Sequence, residues 1–176
     1  MATTCVVAFD VSARRIGGAV VDYTSGKITH ASVMHTNTGD DLNARYDQFA
    51  TFAATLDYFP IGVFIEDGFL MRHTGMVATL CAIGNIEAWS HTQWPGTLVT
   101  RIKPATWRKT LGLQSRGKDD PLFYARENFH TDTGKHLANH LNVKSTRSKT
   151  SGEQDAADAI CIAKAGRELL WRGGVE

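Results

Sequence analysis

The chain has 176 residues, 43% hydrophobic and 21% charged, with a formal net charge of +1. That is ordinary for one soluble globular domain over residues 1–176, long enough to bury a core. It excludes a membrane span, because no apolar run approaches the ~20 residues that a bilayer requires. It also excludes a disulfide framework or thiolate zinc site, because Cys5, Cys81 and Cys161 are far apart and form no Cys-x-x-Cys pair. Met1 to Asp10 lacks the basic start of a signal peptide, so a reducing cytoplasm and no membrane partner are expected.

In chain order, Cys5-Val-Val-Ala-Phe-Asp10 is a run of strand formers that predicts a strand buried on both faces, ending in an acid. Ile16 to Asp22 predicts a second strand, Tyr23-Thr-Ser-Gly26 a turn, and Lys27 to His35 a third strand, together an antiparallel meander. Gly39-Asp-Asp-Leu opens a helix whose apolar face is Leu42, Tyr46, Phe49, Ala53 and Leu56. Pro60 and Gly62 break the pattern, and Ile61 to Ile65 is a further buried strand ending at Glu66-Asp67. Thr74 to about Trp89 is a helix with Met76, Val77, Leu80, Cys81, Ile83 and Ile86 wrapped round most of it, which requires cover on two sides. One side is the sheet; the other is a second subunit or a neighbouring helix. Leu98 to Ile102 is a fifth strand, followed by helices at Pro104 to Thr110 and Asp120 to Phe129. His130 to Thr150 is polar and weakly periodic, a flexible insertion. Ser151-Gly-Glu-Gln154 has the form of a capping box for a helix running to about Trp171. The order predicts an α/β domain with a mixed five-stranded sheet, three antiparallel strands then two parallel, flanked by helices.

Four acids stand out. Asp155 and Asp158 share a helix face, and Ala156, Ala157 and Ala159 beside them allow a close approach to the sheet. Asp10 and Glu66 each end a strand of central character. If those strands are neighbours, all four acids converge. Converging carboxylates cannot all stay ionised without counter-charge, and a hard divalent cation supplies it. A pair of such ions about 4 Å apart suits phosphodiester hydrolysis. The plainer alternative is that Asp155 and Asp158 complement a helix dipole. Arg101, Lys103, Arg108, Lys109, Arg116 and Lys118 lie in a stretch without a single Asp or Glu, and Lys144, Arg147 and Lys149 form a second basic cluster. Such patches beside an acidic cation site suit a protein that grips phosphates.

The segments Val6-Val-Ala-Phe-Asp10-Val-Ser-Ala-Arg-Arg-Ile-Gly-Gly-Ala-Val, Ile65-Glu66-Asp-Gly-Phe69 and Asp155-Ala-Ala-Asp158-Ala-Ile together resemble the RuvC-like Holliday junction resolvases. The Asp-Ala-Ala-Asp-Ala match is the most specific, and the order and separation of the three blocks run over nearly the whole chain. The resemblance implies a ribonuclease-H-like fold, a homodimer, and paired nicking of four-way DNA junctions with Mg²⁺ or Mn²⁺, two ions per site. By match, Asp10, Glu66, Asp155 and Asp158 are the metal ligands. Phe69 matches an aromatic that stacks on bases at the junction centre. Lys118 is the best match to an active-site lysine on the scissile phosphate, with Arg108 or Lys109 second. Arg72 and Arg116 are further DNA-contacting candidates. Asp10-Val-Ser12 replaces the Asp-Pro-Gly often found in the family, and the chain is longer before its final helix, so a divergent, phage-type member is expected.

His136 and His140 are spaced one helical turn apart but lack the Glu and third ligand of a metalloprotease, so they are surface histidines. Gly17-Gly18 is too short to cradle phosphate and marks a close approach within a strand. Trp89, Trp94, Trp107 and Trp171 are expected in the core or an interface. An ATP-handling enzyme of the sugar-kinase and actin superfamily would need Gly-rich phosphate loops and two large domains, and a non-catalytic scaffold would be expected to lose an acid. The serious rival is a nuclease acting on RNA–DNA hybrid or other branched DNA, since the same carboxylate chemistry serves both.

Overall fold

A computed structural model describes residues 4–36, 42–54, 59–67, 76–113, 120–128 and 151–173. Strands β1 (Cys5–Val11), β2 (Arg15–Asp22) and β3 (Ile28–His35) form the expected meander. Its two turns are built by short polar side chains. Ser12 Oγ accepts from Arg15 N at 3.0 Å and donates to Arg15 O at 2.9 Å. In the second turn Asp22 Oδ1 accepts from Ser25 N at 2.6 Å and from Ser25 Oγ at 2.7 Å, with Gly26 at φ +69° completing the reversal.

Helix α1 (Leu42–Ala54) leads to β4 (Pro60–Glu66), then α2 (Met76–Gln93), β5 (Leu98–Ile102), α3 (Pro104–Thr110), α4 (Asp120–Asn128) and α5 (Ser151–Trp171). The strand order is β3-β2-β1-β4-β5, with β1 parallel to β4 and β4 parallel to β5. Sheet and helices form the mixed α/β architecture read from the sequence.

Strand alternation divides the core into two layers. Cys5, Val7, Phe9, Val11, Val63 and Ile65 pack with Phe49, Ala53, Ile83, Ile86 and Trp89 of α1 and α2. Val6, Ala8, Ala19, Val21 and Phe64 pack on the other face with α5. There Ala156, Ala157, Ala159, Ala163 and Ala165 are completely buried. Small side chains let α5 lie close against the sheet. Two glycines mark the tightest points. A Cβ at Gly17 would stand 2.2 Å from the Asp155 carbonyl oxygen, and one at Gly166 would stand 2.3 Å from Phe64 Cδ2.

Three expectations are refined. Helix α2 buries one face, through Ile83, Ile86, Trp89 and Ser90, while Val77 is 67% and Leu80 is 37% exposed. Neighbouring helix α1 supplies part of the second cover, with the Phe49 and Trp89 ring centroids 5.5 Å apart, and among the described residues Val77 and Leu80 stay exposed. Trp89, Trp94 and Trp107 are buried as expected, but Trp171 is 62% exposed and rests against Tyr23 with ring centroids 5.6 Å apart. Helix α5 starts at Ser151 itself, and the Gln154 side chain runs forward to Asp158 rather than back to a capping box. The proposed insertion at 130–150, with His136 and His140, lies outside the described residues, as does Leu56.

Gly17→Ala should destabilise the protein by about 1–3 kcal/mol, the usual cost of overpacking a contact that cannot yield. Gly84→Ala in α2, where a Cβ meets nothing within 4 Å, should stabilise it by about 0.5–1 kcal/mol. Denaturant melts of the two variants check both signs.

Candidate active site

The β1–β4 register sets Phe9 beside Ile65, so Asp10 and Glu66, the next residues on each strand, emerge side by side at one end of the sheet. The two-residue period that turns Val6, Ala8 and Phe64 toward α5 carries Asp10 and Glu66 to that same face. Gly17 of β2 pairs with Asp10, and the backbone of Asp155 crosses directly over Gly17. Without a side chain at position 17, the start of α5 reaches the Asp10 neighbourhood. Asp158 follows almost one turn later on the same helical face.

Each acid except Asp10 also has a partner that is not acidic. Trp107 Nε1 donates to Glu66 Oε1 at 2.9 Å. Gln154 Nε2 donates to Asp158 Oδ1 at 3.1 Å. The Arg15 guanidinium forms an ion pair with Asp155. Arg108 lies over the Trp107 ring, 4.7 Å from its centroid, and its charge acts favourably on ionised Asp158.

Electrostatics tie the four acids together. Burial, then the charges of Glu66 and Asp158, a hydrogen-bond contact with Glu66 and the charge of Asp155 hold the Asp10 carboxyl well above the usual carboxylate range. Burial and Glu66 push Asp158 up to about 7, against the opposing pull of Gln154 and Arg108. Burial also raises Asp155, and Arg15 limits the rise. Among the described residues Arg15 and Arg108 face four acids, and the crowding is relieved in part by Asp10 and Asp158 holding their protons to higher pH than ordinary carboxyls. Among the described residues no three His, Cys, Asp or Glu side chains form a metal-holding group as they stand. The acids are electrostatic neighbours whose oxygens are partly taken up by Arg15, Gln154 and Trp107.

Of the other candidates, Arg108 is half-buried beside the acids and Lys109 is exposed on α3. Phe69, Arg72, Arg116 and Lys118 lie outside the described residues. Three side chains at the site were given no role there by the sequence: Trp107, expected in the core or an interface, Gln154, expected in a capping box, and Arg15. The only signal for Trp107 was its place next to Arg108 in the acid-free basic stretch. Gln154 and Arg15 each sit within the quoted motifs, one residue before Asp155 and five after Asp10, but no spacing rule assigns them a partner.

No protein-family model matches the chain, and no curated protein matches it. Solved structures do. The fold is similar to that of Thermus thermophilus RuvC in complex with Holliday junction substrate, with a TM-score of 0.67 at 16% identity over 97% of each chain. It is similar to another structure of Thermus thermophilus RuvC, with a TM-score of 0.68, again at 16% identity and 97% of each chain. It is also similar to the yeast mitochondrial Holliday junction resolvase Ydc2, with a TM-score of 0.61 at 13% identity, covering 98% of this chain and 82% of that one. The fold is thus the RuvC-like, ribonuclease-H-like one that the sequence resemblance implied.

Raised acid pKa values reverse the usual pH dependence of stability. The folded state binds more protons than the unfolded chain between the ordinary carboxylate range and about 7, so stability in chelator should fall as pH rises through that window. His30, lowered by burial, works in the opposite direction up to its ordinary range. Comparing wild type with Asp158→Asn isolates the acid: the variant should lose much of the decline and melt higher at pH 8. Equal melting curves from pH 5 to 8 would refute the assignment.

Proposed function

We propose that the chain is a divergent, phage-type endonuclease that resolves four-way DNA junctions by paired phosphodiester hydrolysis. The observation that carries this reading is the meeting of Asp10, Glu66, Asp155 and Asp158 in one under-compensated acidic site, set within a fold shared with junction resolvases.

The donor set suits two Mg²⁺ or Mn²⁺ ions, because these ions take carboxylate and water oxygens and four crowded acids lack counter-charge. Asp10, Glu66, Asp155 and Asp158 would hold them, and the chemistry gained is activation of a water and neutralisation of charge on the departing 3′ oxygen. The products are 5′-phosphate and 3′-hydroxyl ends. The chain's own contribution is positional. Asp10 and Glu66 are fixed to central strands, and Asp155 and Asp158 to a helix that alanines and Gly17 hold close to those strands. Arg108, half-buried at the edge of the acids, and exposed Lys109 offer positive charge to the DNA backbone. By resemblance, Lys118 contacts the scissile phosphate and Phe69 stacks on unpaired bases; Arg72 and Arg116 are further DNA-contacting candidates.

Paired cutting requires two sites related by a two-fold axis. The exposed Val77 and Leu80 of α2 support a homodimer interface on that helix. Val77→Glu combined with Leu80→Glu should give a monomer in sedimentation velocity and uncouple the two nicks; a variant that stays dimeric removes α2 from the interface.

The central test is cleavage of a labelled four-way junction, a linear duplex and an RNA–DNA hybrid, each with Mg²⁺ and with chelator. Symmetric, Mg²⁺-dependent nicks in the junction alone are expected. Preferred cleavage of the hybrid would make the chain a ribonuclease-H-type enzyme instead. Asp155→Asn should lower kcat on the order of 10³-fold, the scale for losing a group that stabilises transition-state charge, while junction binding is retained.

A further inference from the structure

Resting on the nuclease reading, we infer that Trp107 is a positioning residue of the acidic site, which orients Glu66 for cation binding and holds Arg108 at the site's edge. An indole N–H can only donate, so a buried tryptophan must find an acceptor. Trp107 is 1% exposed, and the acceptor it finds is Glu66 Oε1 at 2.9 Å. Beside it, at the end of the neighbouring strand, stands another acid, Asp10. The carboxyl at the end of β4 is thus held by a fixed donor next to a like charge.

The backbone explains why the indole arrives there. Glu66 pairs with Ile102 of β5, and only Lys103 separates that residue from the start of α3 at Pro104. Pro104 fixes the first turn, and the backbone amide of Trp107 donates to Lys103 O at 3.2 Å. The register of the edge strand therefore delivers the first turn of α3 to the Glu66 side chain. The next residue, Arg108, lies over the same ring at 4.7 Å and acts on the charge of Asp158. One indole places a carboxylate and steadies a guanidinium.

Without the N–H, Glu66 gains rotational freedom next to a like charge. Partners behind metal ligands commonly contribute about 10–100-fold in metal affinity. Trp107→Phe keeps a ring in the core and deletes the donor. The expectation is a cooperatively folding variant whose Mn²⁺ affinity, followed by calorimetry or electron paramagnetic resonance, is about 10–100-fold weaker than wild type. Its affinity for the four-way junction in chelator should be unchanged. A folded Trp107→Phe protein that binds Mn²⁺ as tightly as wild type overturns the inference, because a tryptophan that merely fills the core would alter stability and leave cation affinity alone.

Should that variant fail to fold, ¹⁵N-indole spectra of Glu66→Ala decide the matter. The Trp107 N–H resonance should move and exchange faster once its acceptor is gone; an unmoved resonance overturns the inference. A wild-type protein that binds no Mn²⁺, and is unchanged in this by Asp10→Asn, removes the nuclease reading itself. The indole spectra then still report whether Trp107 holds Glu66.

Discussion

Everything at the acidic site depends on how closely α5 can lie on the sheet. A helix bearing large side chains would stand too far from β1 and β4 for its acids to meet theirs. Here the contact is made of alanines on one side and Gly17 on the other, with the Asp155 carbonyl where a Cβ of residue 17 would be. Close-packed interiors do not yield to such an intrusion. The same contact buries much of one core layer, so the packing that stabilises the domain also sets the separation of the acids.

Bringing acids into a partly dehydrated site is costly, and the raised values of Asp10, Asp155 and Asp158 express that cost. The protein offsets it only in part. Arg15 pairs with Asp155, Gln154 donates to Asp158, and Trp107 donates to Glu66, while Asp10 is left with other acids as its main neighbours. A domain selected for stability alone would have no reason to keep this arrangement. Titratable groups crowded at a fixed place in this way are a mark of a functional site.

The fold was largely legible in the sequence because its elements are short apolar runs bounded by turn residues. β5 and α3 begin and end as expected, β1, β2 and β3 differ by one residue at one end, and β4 by one residue at each end. The neighbourhood of Asp10 and Glu66 followed from two buried strands that each finish in an acid, and it was their adjacency, β1 beside β4, that the structure had to supply. What escaped was every contact between residues with no common period. Trp107 and Glu66 meet because β4 pairs with β5 and α3 starts at once, a relation that no spacing in the chain announces. Gln154 fitted a capping pattern, but a carboxylate one turn ahead competes for the same amide, and the carboxylate won. Trp171 was expected to be covered; it lies at the end of α5 and stays mostly exposed, with Tyr23 and Arg167 against its ring.

The placement of the acids also has a consequence for how the protein comes into being. Asp10 stands on the first strand of the described chain and Asp155 on its final helix, so the site is a contact of high sequence separation. Such contacts carry the largest loop-closure cost and form late. During synthesis the meander, and then β4, emerge and pair while the helix bearing Asp155 and Asp158 is still unmade. A nascent or truncated chain therefore carries half of the carboxylates and only the Asp10–Glu66 part of the geometry. The four-acid site is withheld until the domain has closed on itself.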